Sequence, residues 1–133
     1  MKVFIDTNVL IAAYISHGVC HDFFDHCLDK HVVYSSDFVR QELLEKLSGK
    51  LHIPEEKIRR IYTHLCAHSI DTPEDNLPDK ISRDPDDDHI LAASIHAGVD
   101  CIVTGDDDLL VHKKFQGIPI VSPRDFWKLE ILK

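Results

Sequence analysis

Val3-Phe4-Ile5, Val32-Val33-Tyr34, Cys101-Ile102-Val103 and Ile118–Val121 are short apolar runs, each followed by polar residues and then by apolar residues at helical spacing. Runs of this length read as buried strands, and strands that alternate with helices imply a parallel sheet covered on both faces. A further short strand is expected near 69–71. Helices are expected at 9–15 and 19–30, from the Ser35/Ser36 caps to Gly49, after Pro54, at 86–97 with a stop at Gly98, and around 107–114. A last helix begins at Ser122-Pro123, and a Pro-rich loop spans 72–85. The predicted fold class is therefore α/β, a three-layer α/β/α sandwich. With 133 residues and 44% hydrophobic content the expectation is a single domain, 1–133.

In an open parallel sheet the C-terminal strand ends form the ligand crevice. Acids collect at such ends here: Asp6 after the first run, Asp84-Pro85-Asp86-Asp87-Asp88 at a helix start, and Thr104-Gly105-Asp106-Asp107-Asp108 after the run at 101–103. Carboxylates gathered in one crevice repel one another, and their own pKa values are expected to rise, unless a cation lies between them. Hard oxygen donors suit Mg²⁺ or Mn²⁺. The formal net charge of −8 argues against a protein that coats nucleic acid by neutralising phosphates, but leaves room for an enzyme that meets phosphates through bound metal.

Each motif has an ordinary reading as well. Asp6 is a good helix N-cap. The helix macrodipole accounts for one or two acids at 84–88, not four. An EF-hand loop counted from Asp84 fails, because His89 stands at the sixth position and Ile95 at the twelfth. Asp88 is the strongest acid of that cluster, with Ile90-Leu91-Ala92-Ala93 packing behind it. Gly105 permits a turn that aims Asp106 over the sheet edge, whereas Asp107 and Asp108 also suit the first turn of the next helix. Periodicity does not choose between Glu42 and Glu45.

Other chemistries are excluded by what is missing. A phospho-aspartate hydrolase needs a second acid two residues after Asp6, where this chain has Asn8. The sequence has no glycine-rich phosphate cradle, nucleophile-elbow serine or CxxC pair. Cys20, Cys27, Cys66 and Cys101 read as reduced and buried. His17, Cys20, His21, Cys27 and His31 lack the paired spacing of a zinc site, and the histidines among them read as the wet face of an amphipathic helix. No apolar run approaches the ~20 residues of a membrane span. Asp6 and Asn8 interrupt the only stretch that resembles a secretory signal, so a cytoplasmic location is expected.

VFIDTNVLIAAY, SSDFVRQEL, RDPDDDHILAASIHAGVDCIVTGDDDLL and IPIVSPRDFW, in that order, resemble the blocks of PIN-domain proteins. The similarity is greatest to the VapC-like toxin components of bacterial and archaeal toxin–antitoxin pairs. The resemblance implies a five-stranded parallel sheet of order 3-2-1-4-5. It matches the family's catalytic and metal-binding acids to Asp6, Glu42, Asp88 and Asp106, with Asn8 and Thr104 in support; Asp86, from the acid cluster at 84–88, is a further supporting candidate. Asp108 stays open beside Asp106 as the fourth acid. The implied activity is hydrolysis of RNA by carboxylate-held Mg²⁺ or Mn²⁺, as the toxin of a toxin–antitoxin pair. The alternative is a non-cleaving module of the same fold that holds RNA or a protein. Implied partners are an RNA substrate, an antitoxin protein and a second copy of the chain, with no membrane. A homodimer contact is expected on the last helix, whose Phe126, Trp127, Leu129, Ile131 and Leu132 exceed one face.

Overall fold

Val3, Phe4 and Ile5 have no polar face to give to solvent, which places their strand at the centre of the sheet. In the computed structural model, which describes residues 1–77, 81 and 84–132, β1 (Lys2–Ile5) pairs in parallel with β2 (Val32–Ser35) and β4 (Cys101–Val103). β3 (Ile70–Asp71) pairs with β2, and β6 (Ile118–Val121) with β4, both parallel. The side chains of β1 after Lys2 and all those of β4 are buried. The expected loop at 72–85 lies partly outside the described residues.

Among the described residues the sheet has six strands rather than five, in the order β3-β2-β1-β4-β6-β5, with β5 at Lys114–Phe115. The additional strand, β5, runs antiparallel to β6. It replaces the end of the helix expected at 107–114, because α6 spans only Asp107–Leu110. Lys113, at φ 60°, leads into β5, and Gln116 and Gly117, at φ 48° and 83°, reverse the chain into a hairpin. The five parallel strands keep the expected order, with β6 in fifth place.

The remaining helices surround the sheet: α1 (Thr7–Ile15), α2 (Val19–Lys30), α3 (Asp37–Glu45), α4 (Glu55–His68), α5 (Pro85–Ala97) and α7 (Pro123–Leu132). Local chemistry sets their ends. Ser36 Oγ accepts from Val39 N–H at 3.3 Å to cap α3, which then widens into a π-turn over Lys46–Lys50. Pro85 opens α5 behind the Asp84 cap, and Gly98 closes it at φ 64°. No helix among the described residues is long and apolar enough to cross a membrane.

The cysteine expectation needs correction. Cys27 and Cys101 are buried, Cys20 is half-buried and Cys66 is exposed. Helix α4 turns Ile58, Ile61 and Leu65 inward, and the ~100° step per helical residue carries Cys66 away from Leu65. His31, expected on a wet face, has a largely buried side chain. On α7, Phe126 is fully buried, and Trp127 and Leu129 pack half-buried against the core. Of the five, Ile131 and Leu132 stand out in solvent.

Candidate metal centre

The register of the central strands places Ile5 beside Val103, so the residues that follow each strand, Asp6 and Thr104, emerge side by side. Asp6 N–H donates to the Val103 carbonyl at 2.9 Å. The Asp6 carboxylate is then held at both oxygens: Thr7 N–H donates to Oδ1 at 2.6 Å, and the buried Thr104 hydroxyl donates to Oδ2 at 2.7 Å. Thr104 Oγ1 in turn accepts from Asp106 N–H at 3.0 Å. One hydroxyl therefore ties the acid after β1 to the turn after β4. Asp106 caps α6, its Oδ1 accepting from Asp108 N–H at 2.9 Å.

A crevice of about 140 Å³ opens above these residues. Asp6 and Asn8 line it from the end of β1, Glu42 and Lys46 from α3 and its π-turn, Asp84, Asp86 and Asp87 from the head of α5, and Asp106 from the turn after β4. At about 30 Å³ per water the space suits ions with a few waters, not a nucleotide. Carboxylate oxygens of Asp84, Asp87 and Asp106 lie within 4.8 Å of one another. An all-oxygen set of this charge fits Mg²⁺ or Mn²⁺.

Asp6, Glu42, Asp106, Asn8 and Asp86, singled out in the sequence, all line the crevice, and Thr104 braces it from below. Glu42 lines the crevice while Glu45 faces solvent, a choice periodicity left open. Asp106, not Asp108, reaches this crevice. Asp108 lines a neighbouring depression with Gly105 and Asp107.

Asp88 departs from expectation. It is not among the residues lining the crevice, and its Oδ2 accepts from Ile81 N–H at 3.1 Å. Asp87, 5% exposed, takes the inward place. Helix geometry gives the reason: Asp87 shares a face with Ile90, three residues on, which also lines the crevice, and Asp88 is rotated by ~100°. The Asp87–Ile90 spacing was the available signal.

Lys46 was also missed. Its Nζ donates to Asn8 Oδ1 at 3.0 Å and lies 3.8 Å from Glu42 Oε2, bringing a cation into an acidic crevice. The i,i+4 spacing of Glu42 and Lys46 was the sequence trace of that contact.

Burial, more than repulsion, pushes the Asp6 carboxyl above its ordinary value. Glu42 and Asp106 add to the rise, and the hydrogen bonds from Thr104 and Thr7 oppose it. The neutral carboxyl is the form the fold prefers, so Asp6 costs no stability below its unfolded value of 3.8 and destabilises the metal-free fold as pH rises through the raised folded value. In chelator-treated protein, Asp6→Asn is therefore expected to flatten the fall of Tm as pH rises above 3.8, on top of a pH-independent loss because one amide oxygen cannot accept from both Thr7 and Thr104. Thermal melts of both proteins across pH check it, and an equal or steeper fall in the variant would contradict the sign.

The PIN-domain family model matches residues 2–108. No curated protein matches the chain. Among solved structures, VapBC2 from Rickettsia felis bound to a DNA fragment from its promoter aligns at TM-score 0.65 and 14% identity, over 90% of this chain and 97% of that one. FitAcB from Neisseria gonorrhoeae aligns at TM-score 0.56 and 15% identity, over 92% and 98%. At these identities the likeness is one of fold.

Proposed function

The chain belongs to the PIN-domain family, and from that premise we propose that it is a Mg²⁺- or Mn²⁺-dependent endoribonuclease, the toxin of a toxin–antitoxin pair. The observation that carries the reading is the meeting of Asp84, Asp87 and Asp106 oxygens beside a buried, doubly hydrogen-bonded Asp6. A cation held there would neutralise charge on the scissile phosphate and lower the pKa of water.

The chain's own residues do the rest. Asp84, Asp87 and Asp106 would supply the cation ligands. Asp6 and Glu42 complete the negative field that draws a divalent ion into the crevice, with Asp6 locked by Thr7 and Thr104. Lys46, anchored on Asn8, presents its ammonium to a non-bridging phosphate oxygen and offsets part of the repulsion between an acidic protein and RNA. The limited volume keeps the RNA outside the crevice, so that only the phosphate enters. Likeness to VapBC2 and FitAcB supports an antitoxin protein as partner; RNA, as substrate of the proposed chemistry, and a second copy of the chain are the other proposed partners.

The test is cleavage of a mixed RNA pool by wild type and Asp6→Asn, with Mg²⁺, Mn²⁺ or chelator. Metal-dependent cleavage by wild type, with at least about a 10²-fold loss in the variant, is expected. Equal activity in both proteins would reject the assignment.

A further inference from the structure

We propose that His26, His31 and Glu130 form a second cation site, suited to Zn²⁺ and separate in chemistry from the carboxylate crevice. His26 lies on α2, His31 directly follows that helix, and Glu130 comes from the last turns of α7. Their ligand atoms converge: Glu130 Oε2 is 2.6 Å from His26 Nε2 and 2.5 Å from His31 Nε2. Spacing along the chain conceals this set, because its carboxylate is 99 residues away from His31.

The surroundings hold both rings in place. The Trp127 ring lies 4.6 Å from that of His26, and Phe126 meets His31 edge-on at 5.4 Å. His31 Nδ1 sits 2.8 Å from the Met1 amino nitrogen. Two imidazoles and a carboxylate form a donor set that zinc uses with a fourth, open position for water. Mg²⁺ and Mn²⁺ favour oxygen and select the crevice instead.

In the metal-free protein each Nε2–H donates to the shared carboxylate oxygen. Zinc takes the place of these two protons. That of His26 moves to its own Nδ1; on the His31 side Nδ1 takes up a proton and the facing Met1 ammonium gives one up to solvent, so binding releases one proton. Ligand atoms around tetrahedral zinc lie ~3.3 Å apart, from bond lengths of about 2.0 Å. The site therefore has to open by less than about 1 Å, and the partly exposed side chains of His26 and Glu130 allow this. A bound ion would fasten α7 to α2.

The competing reading is a plain hydrogen-bonded clamp with no affinity for metal. Full-length protein is stripped with chelator and titrated at pH 8 with Zn²⁺, Mg²⁺ and Co²⁺, following Tm and the visible absorption of four-coordinate Co²⁺. Asp87→Asn serves as the crevice control, and His26→Gln and Glu130→Gln as the site variants. The expected result is a Tm rise of several degrees with micromolar Zn²⁺ but not Mg²⁺ in the crevice control. The strong Co²⁺ band should persist in that control and disappear in both site variants. A Zn²⁺ shift or Co²⁺ band unchanged in His26→Gln, or absent from wild type, would overturn the proposal. His26 is only half-buried, which keeps its variant foldable.

Discussion

Asp87→Asn is expected to lower metal-dependent RNA cleavage by roughly 10²-fold or more, and Asp88→Asn to remain within a few-fold of wild type. The two residues are adjacent, alike in chemistry and both in the first turn of α5, so the contrast isolates direction. Asp87 is buried, lines the crevice and offers an oxygen within 4.8 Å of those of Asp84 and Asp106. Residues that only orient metal ligands are worth about 10–100-fold, so a direct ligand should exceed the upper part of that range. Asp88 accepts from Ile81 N–H, a contact an asparagine oxygen can keep and whose complete loss would cost about 1 kcal/mol of stability. Single-turnover cleavage at saturating Mn²⁺, with melts run in parallel, separates activity from folding. The reverse ranking, with both variants folded, would return the third acid to Asp88.

Phe126→Ala is expected to destabilise the fold by about 3–5 kcal/mol, a large share of a domain's total stability. Phe126 is fully buried and meets Phe23 in a T-shaped contact at 4.9 Å, the link that seats α7 on α2. Truncation removes that edge-to-face contact and leaves a cavity beneath His31, whose ring rests on the same phenyl. Ile131 and Leu132, 83% and 84% exposed, give the internal comparison: alanine at either should change stability by no more than about 0.5 kcal/mol. Urea unfolding of the three variants decides the matter. A Phe126→Ala effect as small as that of Leu132→Ala would mean that α7 is not docked.

Hydrophobic runs and caps carried most of the architecture, because they act over a few residues. The burial of β1 follows from Val3-Phe4-Ile5 having no polar side. The start of α3 follows from Ser36, and the two ends of α5 from Asp84-Pro85 and Gly98. Asp6 and Asp106 were placed at the crevice for the same reason: each lies just past the end of a buried strand, and parallel register brings such ends together. The short β5 escaped because it depends on left-handed backbone at Lys113 and Gln116, residues that rarely adopt it and give no compositional warning.

The remaining features rest on rotation and long-range contact. One residue on a helix is a turn of about 100°, and that step separates Asp87 from Asp88 and Leu65 from Cys66. Composition cannot resolve it where α5 is buried on several sides. Lys46 enters the crevice through Asn8, 38 residues away, and Glu130 reaches His26 across 104. Such contacts exist only after the sheet register and the docking of α7 have brought distant segments together. Local pattern determines which segments become strands and helices; packing of the whole chain determines which side chains finally face one another.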